Sequence, residues 1–89
     1  MAMDGKIISF ASGFRMQWEP SQKTHVLLYP EGMIKLSDSA SEILSRCAGE
    51  LDREGVIGAL EQAFPGADLR NDVIEFLEVA LERGWIVEG

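Results

Sequence analysis

The chain has 89 residues, of which 46% are hydrophobic, and a formal net charge of −7. This length fits one domain, and the hydrophobic content excludes disorder as the main state. Residues 1–36 carry four basic and three acidic side chains, whereas residues 37–89 carry four basic and twelve acidic ones. Binding to phosphate backbones or anionic membranes requires clustered Lys and Arg. The charge therefore argues against nucleic acid and membrane as partners.

Residues 1–12 show no sustained periodicity and predict a flexible N-terminal arm, followed by a single domain over residues 13–89. The apolar patch around Ile7, Ile8 and Phe10 is too short for a secretory signal. No apolar run approaches the roughly 20 residues that span a bilayer. A cytoplasmic location is therefore expected.

Three strands are predicted after the arm. Apolar and polar side chains alternate from Phe14 to Glu19, before Pro20 ends the segment. The second strand, Thr24–Tyr29, is rich in β-branched and aromatic residues, and Pro30-Glu31-Gly32 fits a tight turn. Residues 33–36 form a third, short strand. Together these segments predict an antiparallel meander.

The second strand has apolar side chains on both faces, because Val26, Leu27, Leu28 and Tyr29 follow one another. A half-buried strand in so small a protein should have one polar face. Two explanations are open. The arm covers the second face with its apolar patch, or that face lines a surface for a partner or a second copy.

Three helices follow the strands. The first is predicted over residues 39–48, with Gly49 as its stop; Ser37, Asp38 and Ser39 are all suitable N-caps, and Ser39 and Glu42 have the spacing of a capping box. The second begins after Asp52 and ends at Pro65-Gly66.

The third helix is the clearest, with Asp68 as its predicted cap and Arg83-Gly84 as its end. Its inner stripe comprises Leu69, Val73, Phe76, Leu77, Ala80 and Leu81. Residues 85–87 then form an extended tail over the core. Strands followed by helices predict an α+β fold, winged-helix-like, with a three-stranded antiparallel meander and a three-helix bundle.

The sequence offers little for catalysis. His25 lies in the middle of a strand with no Cys, Ser or Asp at a telling spacing, and Cys47 falls on the inner face of the first helix. One histidine and one cysteine do not supply a structural zinc site. We therefore predict no enzyme, no catalytic residue, no metal site and no cofactor.

A winged helix suggests a nucleic-acid-binding regulator as the alternative function, with the third helix in the major groove. The exposed side of that helix carries two basic residues, Arg70 and Arg83, against four acidic ones, namely Asp72, Glu75, Glu78 and Glu82. Phosphates would repel this surface. Peptide binding is favoured instead, because the edge of a short third strand accepts an added strand.

Three stretches of the chain resemble the pyrroloquinoline quinone (PQQ) biosynthesis protein D family, PqqD. They read FRMQWEP, HVLLYPEGMIKLSDSASEIL and FPGADLRNDVIEFLEVALERGWI, and the likeness extends from about Phe14 to Ile86. The most specific element is LLYPEGM, followed by a Leu, a polar cap and a Ser-Ala helix start. Ser37 departs from an expected Asn, and Gly55 and Gly58 make the second helix less regular.

The resemblance implies a peptide chaperone that is not an enzyme. Members of this family bind the precursor peptide PqqA and present it to the radical S-adenosylmethionine enzyme PqqE, which joins a Glu and a Tyr side chain of the peptide. They are recognition elements for ribosomally made, modified peptides (RiPPs). In related recognition domains the leader peptide adds a strand beside the third strand and packs against the third helix.

Carried onto this chain, the resemblance places the peptide site on the third strand and on one flank of the third helix. The residues implied are Met33, Ile34, Lys35, Leu36, Arg70, Val73, Ile74 and Leu77. Alternation along the strand favours a core position for Ile34 and Leu36 and exposure for Met33 and Lys35. Trp18 and Trp85 are interpreted as core aromatics. Whether the protein is a monomer or a homodimer, and so whether a plain dimeric scaffold is its role, stays open.

Overall fold

A computed structural model of the chain describes residues 5–89. Two antiparallel sheets and three helices make up the fold. In chain order the elements are β1 (Ile8–Phe10), β2 (Arg15–Glu19), β3 (Thr24–Tyr29), β4 (Gly32–Lys35), α1 (Asp38–Leu44), α2 (Arg53–Ala63), α3 (Arg70–Glu82) and β5 (Ile86–Glu88). No helix within these residues has the length and apolar character needed to cross a membrane.

The predicted meander is confirmed as the sheet β2-β3-β4. Leu27 at its centre pairs with Met16 on β2 and with Ile34 on β4, and all three side chains pack in or against the main hydrophobic core. With the three helices, this sheet confirms the α+β prediction. The winged-helix comparison describes it only loosely, because β1 and β5 form a second sheet.

The prediction of a flexible arm over residues 1–12 is wrong for residues 8–10, which form β1 and pair with β5. Ile8 is completely buried, and its backbone is anchored at both polar groups. Its N–H donates to the Leu51 carbonyl at 2.8 Å, and its carbonyl accepts from Gly49 N–H at 3.0 Å. A three-residue strand is too short to show a period, which is why the sequence does not reveal it. Residues 1–4 lie outside the described residues.

The two faces of β3 are filled differently. Leu27 faces the helices, and Ile8 and Phe10 pack with the same core, so the apolar side chains of β1 do not cover the opposite face. On that opposite face Val26 is completely buried between its cross-strand partners, Gln17 and Lys35. Long side chains cover an apolar neighbour with their aliphatic parts while their polar ends stay in water. A partner on this face stays a prediction.

The start of α1 differs from the predicted capping box. Ser37 is the N-cap, and its Oγ accepts from Ala40 N–H at 3.1 Å, so the helix begins at Asp38 instead of Ser39. The sequence does not identify the N-cap uniquely, because three adjacent Ser and Asp residues are all suitable for that position. The helix also ends earlier, at Leu44. α2 begins directly after Asp52 as predicted, and Asp52 is its N-cap, with Gly55 N–H donating to Oδ1 at 2.7 Å.

The end of α3 is as predicted, whereas its start is not. Gly84 adopts a φ of 79°, and Trp85 N–H donates to the Ala80 carbonyl at 2.9 Å, which closes the helix in a Schellman-type turn. At the start, Leu69 is the N-cap residue and makes no side-chain capping hydrogen bond, so the predicted cap Asp68 lies one position too early.

Ion pairs tie the helices to each other and to β5. Arg70 on α3 donates to both carboxylate oxygens of Glu54 on α2, at 2.7 and 2.9 Å. Arg53 on α2 donates to both oxygens of Glu88 on β5, at 2.7 and 3.1 Å. Cys47 lies three residues beyond the end of α1 instead of on its inner face, but it is buried in the core, and this burial raises the pKa of its thiol to about 11.

Candidate functional site

The outer edge of β4 has no strand partner within residues 5–89. Leu36 N–H donates to the His25 carbonyl on β3 at 3.0 Å. Along an antiparallel pair, residues alternate between positions that bond to the neighbouring strand and positions that face away from it. Ile34 therefore shares the bonding position of Leu36. The N–H and C=O groups of Met33 and Lys35 point outward and are available to an added strand.

The side chains of this segment alternate as the sequence predicts. Met33 is 48% exposed and Lys35 is also exposed, whereas Ile34 is half-buried and packs against the core and Leu36 is buried. A peptide strand paired with β4 would follow the same alternation. One set of its side chains would lie beside Met33, and the other would point toward the helices.

The four residues implied on α3 do not share one surface. Val73 and Leu77 are buried in the core, and Ile74 is half-buried against it. Arg70 projects toward α2, where Glu54 holds its guanidinium. Of these four, only Val73 lines the groove described next.

A groove of about 770 Å³ lies between α1 and α3 and reaches the end of α2. Its apolar residues are Ile43, Leu60, Phe64, Ala67, Leu69, Val73, Phe76 and Val79. Phe64 and Val79 are 43% and 37% exposed, so both leave apolar surface of the groove open to water. Chain continuity brings the groove close to β4, because its lining begins at Asp38, three residues beyond Lys35.

The polar part of the groove lining is acidic. It consists of Ser39 and four carboxylates, namely Asp38, Glu42, Asp72 and Glu75. Glu42 pairs with Arg46 at 2.9 Å, and the other three form no ion pair within the described part of the chain. The groove therefore combines an apolar floor with a negative rim. The sequence alone indicates that Asp72 and Glu75 lie on the exposed side of the third helix, but it does not show that they border a groove.

Neither of the two tryptophans lines this groove. Trp85 is half-buried against the core and near Phe76, with ring centroids 6.5 Å apart, as the sequence predicts. Trp18 is 50% exposed, so its interpretation as a core aromatic is wrong. It lies at the end of β2 and contacts His25 edge to face, with ring centroids 5.0 Å apart.

The arrangement provides backbone hydrogen bonds at the β4 edge and an apolar groove with a charged rim nearby. Within residues 5–89 no group of three His, Cys, Asp or Glu side chains is placed to hold a metal ion. A hydrogen-bonding edge and an apolar groove are the elements by which folded domains bind extended peptides.

Comparison with solved structures identifies the same fold in two proteins. The PqqD truncation of Methylobacterium extorquens PqqCD, a functional and stand-alone RiPP recognition element, matches with a TM-score of 0.72 at 23% identity, over 97% of this chain and 95% of that one. The heterocyclase TruD matches with a TM-score of 0.69 at 23% identity, over 94% of this chain but only 12% of TruD. At this identity the likeness shows the fold alone.

Curated relatives are closer in sequence. The PqqA binding protein of Azotobacter vinelandii is 56% identical over 75 residues, which cover 83% of this chain and 82% of that protein. The PqqA binding protein of Stutzerimonas stutzeri is 48% identical over 82 residues, covering 91% and 89%. The family model for coenzyme PQQ synthesis protein D matches residues 24–86, from the start of β3 to the start of β5. The chain therefore belongs to the PqqD family.

Proposed function

We propose that this protein binds the precursor peptide PqqA in PQQ biosynthesis and presents it to the radical S-adenosylmethionine enzyme PqqE, without being an enzyme itself. Membership of the PqqD family supports this role, as do the close relatives named PqqA binding proteins. The observation that carries the mechanism is the unpaired β4 edge, where Met33 and Lys35 direct their backbone groups outward.

PqqA binds as an added strand beside β4. Its backbone exchanges hydrogen bonds with Met33 and Lys35, each worth about 0.5–1.5 kcal/mol net. The exposed Met33 side chain adapts to the peptide side chains on one face, because its thioether chain is flexible. On the other face the peptide meets Ile34 and the helices.

Residues of α3 act at two levels in this proposal. Val73 lines the groove and contacts the peptide, whereas Ile74 and Leu77 hold α3 in place through the core. Arg70 fixes α3 to α2 through Glu54. Leu36 anchors the end of β4 in the core. Of the implied residues, those with exposed side chains or outward backbone groups on β4 make the main peptide contacts.

Substitution at Lys35 tests the strand addition. Lys35→Pro removes the outward N–H, and proline is tolerated on an edge strand where the N–H faces away from its neighbour. Lys35→Ala removes the same charge but keeps the N–H, so it is the matched control. Calorimetric titration with synthetic PqqA should show about two- to tenfold weaker binding for the Pro variant than for the Ala variant, as expected for one lost hydrogen bond.

Two outcomes would count against the proposal. Equal affinities of the two variants, with unchanged circular dichroism, would place the peptide away from the β4 edge. Failure of the unsubstituted protein to bind PqqA, alone and with PqqE present, would contradict the proposed function itself.

A separate experiment tests presentation of the peptide to PqqE. Mass spectrometry should show that PqqE cross-links PqqA faster when this protein is added.

A further inference from the structure

The groove between α1 and α3 has a charge pattern that strand addition at β4 does not require. Hydrogen bonding between backbones does not depend on side-chain charge. Strand addition therefore does not explain why four carboxylates surround the apolar floor of the groove. Asp38, Asp72 and Glu75 have no cationic partner within residues 5–89. Like charges gathered on one rim repel each other, so the arrangement favours an occupant that brings positive charge.

We propose that this groove selects a peptide segment that combines apolar side chains with Lys or Arg, and that its rim carboxylates discriminate against acidic segments. The inference rests on the proposed function, since the segment is taken to belong to the peptide bound at β4. The apolar side chains contact Phe64, Phe76 and Val79 on the floor, while the basic side chains reach Asp72 and Glu75 on the rim.

Exposure and charge both support this occupant. Phe64 and Val79 leave apolar surface open to water, which an apolar side chain would cover favourably. Glu42 already shows how the rim accepts a cation, because it pairs at 2.9 Å with Arg46, which lies two residues beyond the end of α1. A second copy of this chain is a poorer occupant, since each copy carries a net charge of −7.

The test neutralises the rim without changing its shape. The variant Asp72→Asn, Glu75→Gln removes two carboxylates that line the groove. The matched control, Glu50→Gln with Glu82→Gln, changes the net charge equally through two exposed carboxylates that do not line it. Calorimetric titration with PqqA at low and at physiological ionic strength should show about three- to tenfold weaker binding for the rim variant only, and a smaller salt dependence.

The outcomes separate this inference from the proposed function. If PqqA binds all three proteins equally well, peptide binding stands and selection by the rim is overturned. If PqqA does not bind the unsubstituted protein, the proposed function fails, and two model peptides of equal length, one of Leu and Lys and one of Leu and Glu, test the groove alone. Preference for the Lys peptide that the rim variant loses supports the inference, and equal binding overturns it.

Sedimentation of the same samples tests the other occupant. A protein that dimerises through the groove would be a dimer without peptide and would become monomeric in the presence of PqqA. That result would overturn the inference. A monomer that gains only the mass of the peptide is the expected result.

Discussion

The two sheets of this small domain differ in what they leave unpaired. The sheet β2-β3-β4 ends in β4, whose outward edge pairs with no other strand within residues 5–89, and its exposed side chains include Met33 and Lys35. The sheet β1-β5 joins the two ends of the described chain, buries Ile8 and Ile86, and is tied to α2 through Arg53 and Glu88. Under the proposed function, peptide binding is expected at the free edge of the first sheet, whereas the second sheet is expected to act only through the stability of the fold.

The largest expected effect concerns stability and the second sheet. Ile8 is completely buried, and removing such an aliphatic side chain costs about 2–5 kcal/mol of unfolding free energy. Ile8→Ala should therefore lower the stability measured by urea unfolding by that amount. Its matched control is Ile7→Ala at the neighbouring position, which is 37% exposed, buries less area and should therefore cost only about 1 kcal/mol.

The affinity for PqqA should be unchanged in the folded fraction of the Ile8 variant. If the Ala variant is largely unfolded, Ile8→Val, with a cost of about 1 kcal/mol, makes the same comparison. Equal stability of the Ile7 and Ile8 variants would show that β1 does not support the fold. A loss of affinity in folded Ile8→Val would contradict the expectation that the sheet β1-β5 has no part in peptide binding. Lys35→Pro at β4 is the converse case, with lower affinity and little change in stability.

A smaller effect is expected for the ion pair that joins β5 to α2. Hydrogen bonds from Arg53 hold the pKa of the Glu88 carboxyl below its usual value of 4.5. Since the pKa is lower in the folded state, the pair stabilises the protein above the unfolded-state pKa and loses this contribution as pH falls through the folded-state value. Glu88→Gln should therefore cost at most about 1 kcal/mol at neutral pH.

The difference between the Glu88→Gln variant and the unsubstituted protein should shrink as pH falls below about 4.5. Glu78→Gln is a suitable control, because Glu78 is 64% exposed and lies 3.5 Å from the same guanidinium. Urea unfolding at a series of pH values provides the measurement. A stability difference that stays constant from neutral to acidic pH would show that the Arg53–Glu88 pair does not stabilise β5.

Two properties decide which elements can be predicted from the sequence. These are the length of the element and the distance along the chain between the residues that interact. The meander is predictable because β2 alternates and the turn Pro30-Glu31-Gly32 has its own chemistry. The start of α2 follows from Asp52, and the end of α3 follows from Gly84. The pairing of β1 with β5 cannot be predicted in this way. Each strand has only three residues and so shows no period, and the two strands lie near opposite ends of the chain.

The candidate site shows the same division. Alternation along β4 correctly predicts which of its side chains are exposed, since neighbouring strand residues point to opposite faces. The groove was not predicted, because it depends on how α1 packs beside α3. On a helix, residues one position apart differ by about 100° in direction. A guess one position away therefore selects Ile74 and Leu77 in place of Glu75 and Phe76, which line the groove.

The same sheet also provides an internal control for peptide binding. β3 bonds to β4 through His25 and Leu27, so its bonds to β2 involve Val26 and Leu28. The N–H groups of Met16 and Trp18 therefore point outward from β2. The two free edges of one sheet thus offer equivalent backbone donors, but only β4 leads directly into the residues that line the groove.

Amide hydrogen exchange resolved by residue is the most direct test of strand addition at β4. The amides of Met33 and Lys35 should exchange rapidly in the free protein and become protected when PqqA is added, whereas those of Met16 and Trp18 should exchange at the same rate in both samples. Protection of Met16 and Trp18 instead, or unchanged exchange at Met33 and Lys35 under saturating peptide, would contradict the account.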